Sequence, residues 1–272
     1  MILENRLIDN AMNLSPDGHR LALAINDGQA DIWTVDLKTN SVSRFTFGPG
    51  SKTFPAWNRD GSRLYYGTTA GGSAHTVFKA VDGSGPEQTL TSDGFFPTSV
   101  SPDGGTVIGR AIKTGFNFDV VGVDLSAQPP RDFSVVSTAA NETQAMFSPD
   151  GQHVAYASDE NGRTEVFVQA YPSGNKSQIT NGGGSDPRWT RGGRELIYRN
   201  GQSLAAVPIT LKPFSVGAPR TLFTLPNLFA FDVTADGTTF VVAQDAQNRE
   251  NVEFVLVSGW FEELRAKVQP SR

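Results

Sequence analysis

No cysteine occurs anywhere in the chain. That excludes disulfides and thiolate metal sites and leaves the redox compartment open. Histidine is nearly as scarce: His19, His75 and His153 are the whole supply. Such scattered residues argue against the clustered ligands or acid–base groups that a metal or hydrolytic site needs. His19 and His153 follow tight turns and read as hairpin surface, and His75 as a solvated residue at a strand start. A basic excess is missing too. The net charge is −5, which argues against a nucleic-acid surface. No apolar run approaches membrane-spanning length. Met1-Ile-Leu-Glu-Asn-Arg6 is too short and polar for a signal peptide, so a targeting segment would lie outside this sequence. Nucleophile elbows, His-Glu-x-x-His, Walker loops, dinucleotide fingerprints and the kinase His-Arg-Asp loop are also absent, so this chain carries no kinase activity.

What is present is one turn, repeated. Ser15-Pro-Asp-Gly18, Ser101-Pro-Asp-Gly104 and Ser148-Pro-Asp-Gly151 are its clear copies. Asn58-Arg-Asp-Gly61, Thr190-Arg-Gly-Gly193 and Thr234-Ala-Asp-Gly237 are weaker ones. Their third positions fall at 17, 60, 103, 150, 192 and 236, at intervals of 43, 43, 47, 42 and 44 residues. A period in the forties marks a repeat array. Pro presets the second turn position, Asp bonds the following amides, and Gly accepts the positive φ that returns the chain to a strand. Each copy stands between apolar runs and so reads as a hairpin tip. These aspartates are therefore assigned to turn chemistry, not to catalysis or metal binding.

Around each turn lie four short strands. In repeat one they are the run ending at Asn13-Leu14, then Leu21–Ile25, Asp31–Leu37 and Val42–Thr46. Four strands in sequence per repeat is one blade of a β-propeller. At 272 residues such a fold buries roughly three quarters of its unfolded surface and needs no staples. The expected fold is all-β: a six-bladed β-propeller of four-stranded antiparallel blades. Blades are expected near 9–46, 53–91, 96–136, 143–180, 185–223 and 228–257, with the loop Asp132–Gln144 as the insertion of repeat three. Repeat six lacks a fourth strand, and Ile2–Ile8 is a spare one. Pairing them would close the ring and remove exposed edges. Residues 259–268 have the spacing of a short amphipathic helix.

These repeats resemble the TolB-type WD40-like (PD40) β-propeller family over the whole length. The resemblance is carried by Leu14-Ser-Pro-Asp-Gly18, Asp31-Ile-Trp33, Arg44-Phe-Thr46 and Pro55-Ala-Trp57. Thr164–Val168, Pro187-Arg-Trp189 and Trp260-Phe-Glu-Glu-Leu264 look like one branch, the propeller region that follows the membrane segment of bacterial serine/threonine kinases. The resemblance implies an extracytoplasmic, periplasmic or secreted, bacterial module. Related propellers serve as periplasmic interaction modules, as gating domains beside serine peptidases, and as a few lyases.

Topology puts the four-to-one and two-to-three loops on one face, around the channel mouth, where binding residues are expected. Lys52, Phe54, Phe95, Phe96, Asn141, Glu142, Asp186, Arg188, Phe229 and Phe231 lie on or beside those loops. Aromatics beside single charges suit a polar-rimmed patch, while Phe54, Phe96 and Phe231 read equally well as packing between blades. The reading is a non-enzymatic, monomeric module for a protein, peptide or small-molecule ligand, with no cofactor and no metal. The alternatives are a propeller lyase or hydrolase, or the accessory domain of a larger kinase or peptidase.

Overall fold

The computed structural model describes residues 2–3, 7–91, 94–112, 117–245 and 252–258. The turn chemistry is visible in it. In Ser15–Gly18 the Ser15 hydroxyl donates to Asp17 at 2.5 Å, and Asp17 accepts the His19 amide at 3.0 Å. The Arg20 amide donates back to the Ser15 hydroxyl at 2.9 Å, and Gly18 takes φ +71°. The copies at Ser101 and Ser148 repeat this set of bonds. Each hydroxyl–carboxylate contact favours the ionised aspartate, so Asp17, Asp103 and Asp150 all titrate below the ordinary range. In Asp150 burial is the largest influence and works against the shift, and the bonds from Ser148 and the Gln152 amide outweigh it. The Thr190 copy departs: it has no aspartate and forms a 3-10 turn, Arg191–Gly193, whose first amide donates to Ala235 of the neighbouring turn at 2.8 Å.

The first strand, β1 (Ile2–Leu3), stands apart. Blade one is β2 (Leu7–Leu14), β3 (Arg20–Asn26), β4 (Ala30–Asp36) and β5 (Val42–Arg44). Blade two is β6 (Lys52–Trp57), β7 (Arg63–Thr68), β8 (His75–Ala80) and β9 (Gln88–Thr91). Blade three is β10 (Phe95–Val100), β11 (Thr106–Ile112), β12 (Phe118–Asp124) and β13 (Arg131–Val136). Blade four is β14 (Glu142–Phe147), β15 (His153–Ser158), β16 (Glu165–Ala170) and β17 (Lys176–Gln178). Blade five is β18 (Ser185–Thr190), β19 (Glu195–Asn200), β20 (Ser203–Leu211), β21 (Phe214–Val216) and β22 (Arg220–Thr224). The remaining strands are β23 (Leu228–Val233), β24 (Thr239–Asp245) and β25 (Val252–Ser258). All pairings are antiparallel, and each blade follows chain order from its innermost strand outward.

The expected six-bladed ring of four-stranded blades, closed by an N-terminal strand in the last blade and followed by a C-terminal helix, is corrected by this topology in its blade count and its helix. Five blades are self-contained runs of consecutive strands, and the last sheet is a composite, ordered β1-β25-β24-β23. Blade five is five-stranded, because the long β20 pairs with both β21 and β22. Among the described residues there is no α-helix, only the 3-10 turns Ala70–Gly72 and Arg191–Gly193. The expected helix over 259–268 lies outside the described residues. The single strand expected over Ile2–Ile8 is divided. Ile2 and Leu3 pair with Glu253 and Val252, whereas Leu7 and Ile8 pair with Asn26 and Ile25 in blade one. The insertion expected over Asp132–Gln144 is mostly strand, since Arg131–Val136 completes blade three and only 137–141 is loop.

The core lies between blades, as period-two alternation requires. In β7, Leu64 and Tyr66 pack on Ala22, Ala24 and Ile32 of blade one, while Tyr65 packs toward Phe95 and Val107 of blade three. A cluster containing Met12, Leu23, Ile197, Leu204, Phe231 and Val242 joins the composite sheet to blades one and five. Small residues allow the closest approaches. A Cβ on Gly109 would overlap the Phe96 carbonyl, and one on Gly122 would lie 2.5 Å from the Phe133 ring.

Candidate functional site

The innermost strand of each blade carries a register break partway along. In β6, β14 and β18 the break skips two residues, and the first of them takes a left-handed backbone: Phe54 at φ +55°, Gln144 at +57° and Asp186 at +54°. For residues other than glycine such angles cost of order 1–3 kcal/mol, least for Asp186 because aspartate visits this region more readily, and they concentrate at functional sites. Bulges of this kind re-aim a side chain. Here they turn three side chains from three blades toward the ring axis. Each stands four residues ahead of its hairpin turn, and so do Ala11 and Pro97. All five line one cavity at the mouth of the central channel, which encloses about 80 Å³.

Two residues ahead of each turn lies a second layer. Asn13, Met146 and Arg188 line both this mouth and the opening on the turn face, so they form the waist of the channel. Asp232, from the composite sheet, ties the waist together. It accepts Arg188 Nε at 3.0 Å, the Leu14 amide at 2.7 Å and Asn13 Nδ2 at 3.4 Å. Asn13 in turn accepts the Trp57 amide at 3.0 Å and, through its carbonyl, Trp57 Nε1 at 2.9 Å. One network thus joins the composite sheet with blades one, two and five.

At the mouth, Asp186 accepts Gln144 Nε2 at 2.5 Å and Arg199 Nε at 3.0 Å, and its own amide donates to Gln144 Oε1 at 2.9 Å. Beside them Arg110 lies among aromatic rings. Its guanidinium carbon is 4.3 Å from the Phe54 ring centroid, 4.5 Å from Phe118 and 5.6 Å from Phe96. Arg110 and Arg199 hold equivalent places, opposite Phe96 and Ser185 on the second strands of blades three and five.

Of the residues singled out in the sequence, the structure brings Phe54, Asp186 and Arg188 together in the mouth. Phe96 stacks edge-on against Phe54 at 5.3 Å, and Phe231 is buried beneath the Arg188 guanidinium at 5.7 Å. The others lie elsewhere. Lys52 is 2 % exposed and donates to the carbonyls of Gly48 at 2.7 Å and Pro49 at 3.0 Å, with Asp31 at 3.5 Å. Phe95 is buried in the core between blades two and three, and Phe229 packs against the cluster around the composite sheet. Asn141 is bonded to Asp159 through its amide at 2.8 Å and its side chain at 2.9 Å. Glu142 is fully buried against the Thr138 hydroxyl and amide. Burial is the largest influence on Glu142 and pushes its carboxyl up, against the bonds from Thr138.

Sequence reasoning missed Asn13, Arg110, Gln144 and Met146. Counting back two and four residues from each turn would have found three of them. Arg110 had a different signal, a lone cation in the otherwise uncharged strand Thr106–Ile112.

Residues 2–135 match the family model described as the TolB beta propeller domain, PD40. Those residues belong to the TolB-type propeller family. The likeness extends to solved structures. A putative TolB from Agrobacterium tumefaciens superposes with a TM-score of 0.66 at 17 % identity, covering 82 % of this chain and 87 % of that one. TolB from Acinetobacter baumannii gives 0.66 at 17 % identity, covering 93 % of this chain and 61 % of that one. An oligogalacturonate lyase in complex with manganese gives 0.63 at 16 % identity, covering 91 % and 73 %. Identities this low establish the fold alone. Among the described residues, no group of three or more His, Cys, Asp or Glu side chains is placed to hold a metal ion. None of the helices among them is long and apolar enough to cross a membrane.

Proposed function

We propose that this TolB-type propeller is a non-enzymatic recognition module that takes a segment of a protein or peptide into its central mouth. The observation that carries this reading is the mouth itself. Three side chains on left-handed backbone, Phe54, Gln144 and Asp186, converge there from three blades, around a cavity of about 80 Å³. Pockets for whole drug-sized ligands run roughly 300–1,000 Å³. A cavity this small suits one inserted side chain or chain end, with the rim holding the rest. Aromatic and arginine anchors in a desolvated centre are the groups that dominate such interfaces.

Selection of a displayed peptide library on the full chain tests the proposal. Phe54→Ala and Arg188→Ala should each weaken the selected peptides by tenfold or more. Binding unchanged in both folded variants would refute it. The second reading, a propeller lyase, is favoured by the likeness to the oligogalacturonate lyase. Turnover of oligogalacturonate by the purified chain, lost on mutating the mouth, would establish it instead.

A wider role goes with the proposal: the extracytoplasmic sensor portion of a bacterial kinase-like receptor. The motif Trp260–Leu264 and its neighbours in the sequence support it. A kinase domain and membrane segment upstream in the same reading frame is the expected finding, and a free-standing gene would refute it.

A further inference from the structure

We propose that the groove between blades two and three binds a small organic cation, its apolar body lying in the groove and its ammonium group against Asp132. The site is separate from the mouth, because no residue lining the groove lines the mouth.

The groove exists because one bridge between blades is missing. Leu64, Val107 and Val154 stand four residues after the third turn position in blades two, three and four. Their partners on the next strand are Lys79, Val123 and Gln169. Paired residues share a face of the sheet, here the one packed on the preceding blade. Lys79 and Gln169 are long enough to cross to that blade's outer part. Lys79 Nζ lies 5.3 Å from the ring centroid of Phe45, just after β5 of blade one. Gln169 Nε2 donates to the Val135 carbonyl in the outermost strand of blade three at 3.2 Å. Val123 ends at two γ-methyl groups and is too short to do the same. The space left there is about 500 Å³. Pockets that hold a whole small molecule run roughly 300–1,000 Å³.

The walls are apolar. They include Leu90 from β9, Phe95 from β10, Val121 and Val123 from β12, and Pro129 and Pro130 just before β13. Leu90 is the residue skipped by the register break in β9, and it packs on the cluster that holds Phe95, Val121 and Val123. Such walls favour a hydrocarbon body, whose surface they remove from water.

One charge sets the other end of the ligand. Asp132 is the only charged side chain among the described residues that line the groove. It stands directly opposite Val123 and so lies on the groove face of β13. Its neighbour Arg131 stands opposite Asp124 and lies on the other face. Asp132 makes no ion pair or hydrogen bond with a described residue. An ammonium group placed there neutralises the carboxylate, and an anion is repelled. Asp132 is exposed, so water and salt screen the pair. The preference for a cation over its neutral isostere should therefore be about fivefold.

The test follows the methyl resonances of Leu90, Val121 and Val123 in the intact chain during titration with phenethylamine. Phenethyl alcohol and hydrocinnamate, at matched ionic strength, are the neutral and anionic controls. Phenethylamine should move all three residues along one saturable curve and leave Ile197, buried in blade five, in place. It should bind about fivefold more tightly than the alcohol. Asp132→Asn should abolish that preference and leave the alcohol's affinity unchanged. Val123→Gln supplies the side chain that blade four uses as its bridge, and should weaken amine and alcohol alike by at least tenfold. If Val123→Gln does not fold, the comparison of wild type with Asp132→Asn decides. Equal binding of amine, alcohol and hydrocinnamate would overturn the proposal, as would a preference that survives Asp132→Asn. Methyl shifts that follow protein concentration and not the amine would assign the groove to a second copy of the chain, and would overturn it too.

Discussion

Replacing Lys52 with methionine removes a cation buried at the joint between blades one and two while keeping most of its volume. Lys52 Nζ is held by the carbonyls of Gly48 and Pro49 and lies 3.5 Å from Asp31. Asp31 is itself 3 % exposed, and it also accepts Arg44 at 2.5 Å and the Thr46 hydroxyl at 2.8 Å. Removing one member of a buried pair costs roughly 3–5 kcal/mol when the survivor is left uncompensated. Asp31 keeps Arg44 and Thr46, and the two carbonyls belong to exposed residues that can hydrate. The cost should therefore be lower, ~2–4 kcal/mol. For a chain of this size about 1 kcal/mol moves the melting midpoint by roughly 2 °C, so the expected fall is roughly 4–8 °C. Calorimetry of Lys52→Met beside the exposed control Lys38→Met measures it. A midpoint within a degree of wild type would show that Lys52 does not hold this joint, and would return it to the candidate binding residues.

Three further predictions concern pH and packing. Glu142 has a folded pKa raised above its unfolded value of 4.5, so its ionisation disfavours folding as pH rises through that window. Glu142→Gln should gain stability relative to wild type on going from pH 4 to pH 7, read by denaturant midpoints at each pH, and a pH-independent difference would refute the assignment. Asp17, Asp103 and Asp236 have folded values below the ordinary 3.8, so their contribution is present above that pH and is lost as pH falls below it. Replacing Ser15, Ser101 and Thr234 together with alanine should flatten the loss of stability below pH 4, and an unchanged acid profile would refute it. Gly109→Ala should destabilise the chain by more than ~2 kcal/mol in chemical denaturation, because the new methyl meets the Phe96 backbone and not a yielding side chain. An unchanged midpoint would mean that β10 and β11 separate at little cost.

The sequence alone determined the repeat, its period and its turns, because these are local. Pro, Asp and Gly act within a few bonds of one another, and strand alternation follows from the pleat. The same period carries the two layers of the channel, since every innermost strand is counted from its turn. Phe54, Asp186 and Arg188 were reached through the loops that topology puts at the channel mouth, and Gln144, Met146 and Asn13 could have been reached by counting back from the turns. Tertiary structure decided the rest, because it depends on partners distant in the chain. Whether Lys52 faces the rim or the core depended on Asp31 and the 48–49 carbonyls lying within its reach. Whether Ile2–Ile8 forms one strand or two depended on β25 pairing with Ile2–Leu3 while β3 pairs with Leu7–Ile8. The surroundings of Arg110 are built from rings 56, 14 and 8 residues away in sequence, gathered from two blades. No local pattern encodes that meeting, because it exists only where neighbouring blades converge on the axis.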